Sequence, residues 1–211
     1  MVRRRYQKQL DRLRAMLWEM GTAVEQVMIR TDRALQTWDL EAAKAVVEGD
    51  DAIDEMERGI ENACLHLITM QQPVAGDLRE ITAVFRMIAD LERIADQAAD
   101  ISSCLLEMGE KPPVDDQLLR QMSSALLPMY RGMMKSYQNQ DPKLARETLA
   151  YDDQIDSLFW EAVKVFDRRI SASAGGCVYC VFIAKYLERM GDHITNVCEW
   201  ILYRLDFHRR K

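Results

Sequence analysis

Four pairs of carboxylates, each with members four residues apart, are the groups best placed to do chemistry. They are Asp50 and Asp54, Glu92 and Asp96, Asp152 and Asp156, and Glu188 and Asp192. Side chains four apart on a helix are neighbours on one face, and like charges at that spacing weaken the helix. A divalent or trivalent cation offsets such repulsion: Mg, Mn and Fe favour oxygen ligands, and Zn also accepts carboxylate oxygen. One acidic pair alone reads as a solvated helix face, balanced by Arg58, Arg93 or Arg189. The same pair recurring in four helices points instead to a metal or another polar ligand. Asp100 and Asn196 extend two of the stripes by another four residues and are candidate outer ligands. His193 follows Asp192 and points elsewhere on its helix, as a surface histidine would.

The elements that carry these pairs are helices. In the first, Leu10, Leu13, Leu17, Met20, Val24, Val27 and Ala34 recur in steps of three and four, an a/d seam with a gap at Thr31. Trp38-Asp39 breaks it. A second helix carries Val46, Ile53, Met56, Ile60, Ala63, Leu67 and Met70 and closes at Pro73. A third carries Ile81, Val84, Ile88, Leu91, Ala95, Ala98 and Leu105 and stops near Gly109. The pattern then restarts. A helix from about Asp115 to Asn139 contains Pro128, a kink signal. Asp141-Pro142 opens the next helix, which holds Ile155, Leu158, Ala162 and Val165, and Ser171 to Gly176 form a turn. The last helix holds Ala184, Leu187, Gly191, Ile194, Cys198, Ile201 and Leu205.

The restart is an internal repeat. Asp39 to Glu57 lies over Asp141 to Phe159 at an offset of 141 − 39 = 102, and Asp90 to Ile101 over Tyr186 to Val197 at 186 − 90 = 96. A repeat defines the organisation before any other reading. The expectation is an all-α chain, a tandem repeat of two antiparallel three-helix bundles, residues 1–108 and 115–211, joined around 109–114. With Ile53 and Ile155 at heptad position a, and Leu91 and Leu187 at d, all four acidic pairs fall at e and then b. That position lies beside the core, so antiparallel neighbours would bring two pairs together on one lateral face of each bundle.

Bulk properties exclude several classes. The chain has 211 residues, 48% hydrophobic and 29% charged, with only nine Gly and five Pro. Such a composition buries a core and suits long helices over a turn-rich β fold. A net charge of −6 argues against nucleic-acid binding, and the basic ends, Arg3 to Arg5 and His208 to Lys211, read as solvated helix ends. No apolar run approaches the roughly 20 residues of a membrane span. The first residues lack an apolar signal segment, so a cytoplasmic location is expected. The five cysteines form no disulfide pattern, and Cys177-Val-Tyr-Cys180 reads as core thiols. None of His66, His193 and His208 has Glu three residues before it, as a di-iron bundle enzyme needs, and no phosphate-loop glycine pattern occurs. No catalytic residues are assigned. No arginine cluster aimed at an anion is visible in the sequence, which argues against direct phosphate binding.

Three stretches resemble the PhoU family. They are Gln71 to Arg79 (QQPVAGDLR), Leu91 to Asp96 (LERIAD) and Leu187 to His193 (LERMGDH) with Asn196 after it. The family pattern at the last two is LERIGD-like, once per repeat; Ala95 replaces Gly in the first copy and Met190 replaces Ile in the second, and neither change touches a carboxylate. The resemblance covers nearly the whole chain. It implies paired three-helix bundles, often dimeric, that act with the ATPase of the phosphate ABC transporter and with a two-component sensor kinase. It implies restraint of phosphate uptake and starvation signalling when phosphate is plentiful. It also implies metal binding at the acidic motifs, here Asp50/Asp54, Glu92/Asp96, Asp152/Asp156 and Glu188/Asp192, with multinuclear iron in some members. The competing readings are an accessory protein of another phosphate permease and a metal-free helical scaffold.

Overall fold

A computed structural model describes residues 2–70, 73–109, 116–169 and 174–206. Every element among these is an α-helix. They are α1 (Val2–Thr37), α2 (Leu40–Val47), α3 (Asp51–Met70), α4 (Ala75–Met108), α5 (Gln117–Asn139), α6 (Pro142–Leu149), α7 (Asp152–Arg169) and α8 (Ala174–Asp206). Gln71-Gln72, most of the joining segment, the stretch from Ser171 to Ser173 and the basic tail from His208 lie outside the described residues.

The repeat is visible in backbone geometry. α1 ends at Trp38 (φ 56) and α5 at Gln140 (φ 52), the two non-glycine residues with positive φ among those described. Each left-handed residue turns the chain sharply, and an aspartate starts the next helix. Asp39 accepts from the Ala42 N–H, and Asp141 accepts from the N–H groups of Lys143 and Leu144. Such caps satisfy donors that the first helical turn leaves open.

Six helices were expected and eight are found among the described residues, because the second helix of each bundle is broken. The chain turns at Glu48–Asp50 and again at Ala150–Tyr151. There the backbone uses tighter bonds, Gly49 N to Val46 O (3.2 Å) in the first copy and Tyr151 N to Thr148 O (3.1 Å) in the second. Gly49 is a visible signal for the first break, but nothing of the kind marks the second. The break places Asp50 and Asp54, and Asp152 and Asp156, around the first turn of a new helix. The positive end of the helix dipole there offsets part of their repulsion.

The core follows the period, with drifts in α1 and α7. Leu10, Leu13, Leu17, Met20, Val24 and Ala34 are buried as expected, but the seam then passes through Met28 and Leu35, with Val27 only half-buried. In α7 the buried positions are Ile155, Phe159, Ala162 and Phe166. A straight helix of 3.6 residues per turn drifts off a strict heptad in this way. Thr31 sits in the core with its hydroxyl donating to Val27 O (3.1 Å), so its polar group is satisfied locally. All five cysteines are buried and free, as core thiols.

α4 and α8, each roughly 50 Å long at about 1.5 Å per residue, are the most extensively packed pair of helices. They run antiparallel: Arg79 meets Tyr203 and Asp90 meets His193. α1 and α5 also pack across the repeats. The buried Tyr130 hydroxyl donates to Gly21 O (2.7 Å), where Gly21 lets Met134 lie against the α1 backbone. α4 carries Glu92 and Asp96 while also packing on α1, α2 and α3, so this acidic pair stands on a helix held from several sides.

Candidate metal centre

In the first repeat the structure brings the two expected pairs together. Asp54, Glu92 and Asp96 each offer an oxygen, and these atoms all lie within 4.8 Å of one another. Hard cations bound at about 2.0–2.6 Å hold their oxygen ligands at separations of roughly 3–5 Å. Asp50, at the start of α3, faces the same group. Burial pushes its carboxyl above the ordinary carboxylate range, and the charges of Asp96, Asp54, Asp51 and Asp100 add to the effect. Burial, then Asp96, drives Glu92 up to about 7, and Arg93 opposes the change. Asp100 is raised in the same way, with Arg189 of α8 opposing. Asp100 therefore lies at the fringe of this cluster.

Two arginines border the first cluster. Arg58 donates to Asp54 at 3.0 Å, and Arg93 reaches Asp96 at 2.8 Å and Glu92 at 3.4 Å. Both are more than half exposed, so each pair contributes little on its own. They nonetheless supply part of the charge balance that a cation would otherwise have to supply alone.

In the second repeat, Asp152, Asp156, Glu188 and Asp192 gather in the corresponding place. Burial raises the Asp152 carboxyl to about 6, helped by Asp156, Asp192, Asp153 and Glu188. Asp192 is raised by burial and by Glu188, with Lys185 opposing. Asp152 Oδ1 is fully buried with no hydrogen-bond partner, a costly state for a carboxylate oxygen unless a proton or cation is present. It lies under Gly191, where an added Cβ would stand 3.2 Å away; the first repeat has Ala95 at the equivalent position. Lys185 pairs with Glu188 at the edge. Among the described residues only Asp54, Glu92 and Asp96 bring three carboxylate oxygens within 4.8 Å of one another, a spacing that fits a cation; in the second repeat the fitting feature is the single unpartnered Asp152 oxygen.

Two residues behave differently from expectation. Asn196 Nδ2 donates to Asp90 Oδ1 (3.1 Å) on α4, so its amide is engaged between the repeats, not beside Asp192. His193 is no surface residue: its Nδ1 lies 2.9 Å from the same Asp90 oxygen, and both side chains are largely covered. The separation of over 100 residues hid this contact. Sequence reasoning also missed Glu57. Its carboxyl is raised by burial and by Glu61 and Asp54, and its charge helps raise Glu92. Glu57 lies three residues after Asp54, so extending the stripe by i, i+3 would have found it.

The sequence pattern described as the PhoU domain matches residues 17–105 and again residues 119–201, once for each bundle. The "Phosphate-specific transport system accessory protein PhoU homolog" of Clostridium acetobutylicum is 32% identical over 211 residues, covering 96% of this chain and 95% of that protein. The protein of the same description from Zymomonas mobilis is 32% identical, covering 94% and 85%. The crystal structure of PhoU from Pseudomonas aeruginosa superposes with a TM-score of 0.92 at 26% identity, over 96% of this chain and 99% of that one. The phosphate transport system regulatory protein PhoU from Streptococcus pneumoniae shares the fold, with a TM-score of 0.87 at 24% identity over 94% and 96%. With both repeats matched and relatives alike over nearly their full length, the chain belongs to the PhoU family.

Proposed function

We propose that this chain is a cytoplasmic regulator of phosphate transport, which restrains the phosphate ABC transporter and a partner sensor kinase when phosphate is plentiful. The observation that carries this reading is the near full-length likeness to proteins described as phosphate-specific transport system accessory proteins. Four carboxylate pairs gather in two acidic clusters beside the core. No helix among the described residues is long and apolar enough to cross a membrane, so action at a transporter requires docking to it.

Each acidic cluster holds a cation, drawn from Fe, Mn, Mg or Zn, through Asp50, Asp54, Glu92 and Asp96 in one bundle and Asp152, Asp156, Glu188 and Asp192 in the other. The bound cation neutralises a lateral face and fixes the carboxylates in one arrangement, shaping the surface that meets the transporter ATPase or the kinase. The chain acts as a homodimer. The test is affinity capture of the tagged chain from its host, grown in high and in low phosphate. Recovery of the transporter ATPase or a sensor kinase, changing with phosphate supply, supports the reading. Capture of only another phosphate permease overturns it in favour of that permease's accessory protein. Replacing Glu92 and Asp96 by Ala must also weaken capture while the helical content stays intact. Full capture by that double variant leaves the metal-free scaffold as the better account.

A further inference from the structure

The outer face between α1 and α3 carries a groove that no other element of the chain fills. It consists of two adjoining hollows of about 310 and 250 Å³, which share Met16 and Gly59. Early residues of α1 line it opposite late residues of α3, so the two helices run antiparallel along its length. Its floor is apolar, with Leu13 in the first hollow, Met56 and Ile60 in the second and Met16 between them. Its walls differ in charge from end to end. Arg12 stands in the first hollow, while Glu19 and Glu55 stand on the two walls of the second. All three are exposed, and among the described residues none of them forms an ion pair.

Gly59 marks the middle of the groove. A glycine inside a helix costs about 1 kcal/mol relative to alanine. Nothing in its own chain requires one here: an added Cβ would meet only Met16 Cε, at 3.8 Å. The bundle geometry does not require it either, because the second repeat carries Glu161 at the corresponding position, 102 residues on. What the glycine supplies is room for another surface to approach the helix closely.

The charges are disposed evenly about that middle. Arg12 lies four residues before Met16 on α1, and Glu55 lies four residues before Gly59 on α3. Because the helices are antiparallel, these two residues stand at opposite ends and on opposite walls. A two-fold axis through the Met16–Gly59 contact therefore sets Arg12 of each copy over Glu55 of the other, with Glu19 beside it at the same end. A two-fold interface needs such a self-complementary patch, in which residue i meets j and j meets i. The apolar floor supplies burial, and the paired charges fix the register.

We infer that the α1–α3 groove is the surface through which two copies of this chain pair, with Arg12 of each copy on Glu55 of the other. The inference rests on the homodimer proposed above and names the surface that makes it.

The test is sedimentation velocity of the full chain over a concentration series, with circular dichroism to follow the fold. The wild type should sediment as a dimer. Arg12→Glu and Glu55→Arg each place like charges together at both ends of the interface, so each should raise the dissociation constant about tenfold or more. The double variant restores opposite charges and should recover most of that loss. Both side chains are exposed, so helical content should not change. A dimer indifferent to both reversals, or a double variant that associates no better than the single ones, overturns the inference and leaves the homodimer to another face. A wild type that stays monomeric at every concentration overturns the inference and the homodimer together.

Discussion

Replacing Glu92 with Gln should stabilise the metal-free protein at alkaline pH and leave it unchanged in acid. The carboxyl of Glu92 titrates near 7 in the folded chain against an ordinary value of 4.5, chiefly because burial disfavours its charge. Between those values the native state holds a proton that the unfolded chain has released. Stability therefore falls as pH rises through the window, and the whole penalty stands above pH 7. At about 1.4 kcal/mol per pH unit the ceiling is about 3 kcal/mol. The side chain keeps 18% of its surface exposed beside Arg93, and solvent screening reduces that ceiling to about 1–2 kcal/mol. Gln carries the shape of the protonated acid without the charge. In a chain of this size each kcal/mol moves the melting temperature by about 2–4 °C, so Glu92→Gln should melt about 2–8 °C higher near pH 8. Near pH 4 the two proteins should melt together. The assay is thermal unfolding followed by circular dichroism, in chelator, at both pH values. Equal melting at pH 8, or a lower value for the variant, would refute the argument that this cluster is electrostatically strained when empty.

The same strain should make metal stabilising. Adding Mn²⁺ to the chelated wild type should raise its melting temperature, and Glu92→Gln with Asp152→Asn should lose most of that gain, read by the same melts. Gly59→Ala should stabilise by about 0.5–1 kcal/mol, because an added Cβ meets nothing nearer than Met16 Cε at 3.8 Å and alanine favours the helix. Gly132→Ala should instead destabilise by about 1–2 kcal/mol, because its Cβ would stand 2.7 Å from Thr148 Oγ1, which is held by Leu144 O; urea unfolding separates the two. Gln140→Gly should gain about 0.5–1 kcal/mol by relieving a left-handed residue at an exposed helix end, measured the same way.

The fold was legible because its signals are local and repeated. Apolar steps of three and four marked the long helices, Trp38-Asp39 marked a break, Asp141-Pro142 marked a start, and Gly109 marked the end of α4 where its φ of 61 favours glycine. The apolar pattern does not stop at the first break, where Val46 and Ile53 stay in register and only Gly49 hints at the turn, and no residue signal marks the second at 150–151. The acidic pairs were legible from i, i+4 spacing, since α3 with α4 and α7 with α8 need only pack side by side to join them. What spacing cannot encode is packing between repeats. Asp90 with His193 and Asn196, Tyr130 on Gly21, and Arg14 with Arg204 around Glu80 all depend on how one bundle lies on the other.

Duplication has produced two clusters that are equivalent in sequence and unequal in environment. In the first, Glu57 and Asp100 add negative charge, while Arg58 and Arg93 fold back over Asp54 and Asp96. The second copy has Phe159 and Asn196 at the positions of Glu57 and Asp100, so it is less acidic. Among the described residues it has no arginine on its aspartates, but Lys185 covers Glu188, and the Gly191 contact leaves one Asp152 oxygen buried and unpartnered. A cation at the first cluster would displace arginines and gain more charge neutralisation; at the second it would satisfy an oxygen that already lacks a partner. Both clusters flank the long α4–α8 pair that joins the bundles. Charge change at either one therefore acts on the same pair of helices, while the Asp90–His193–Asn196 contact ties α4 to α8 between them.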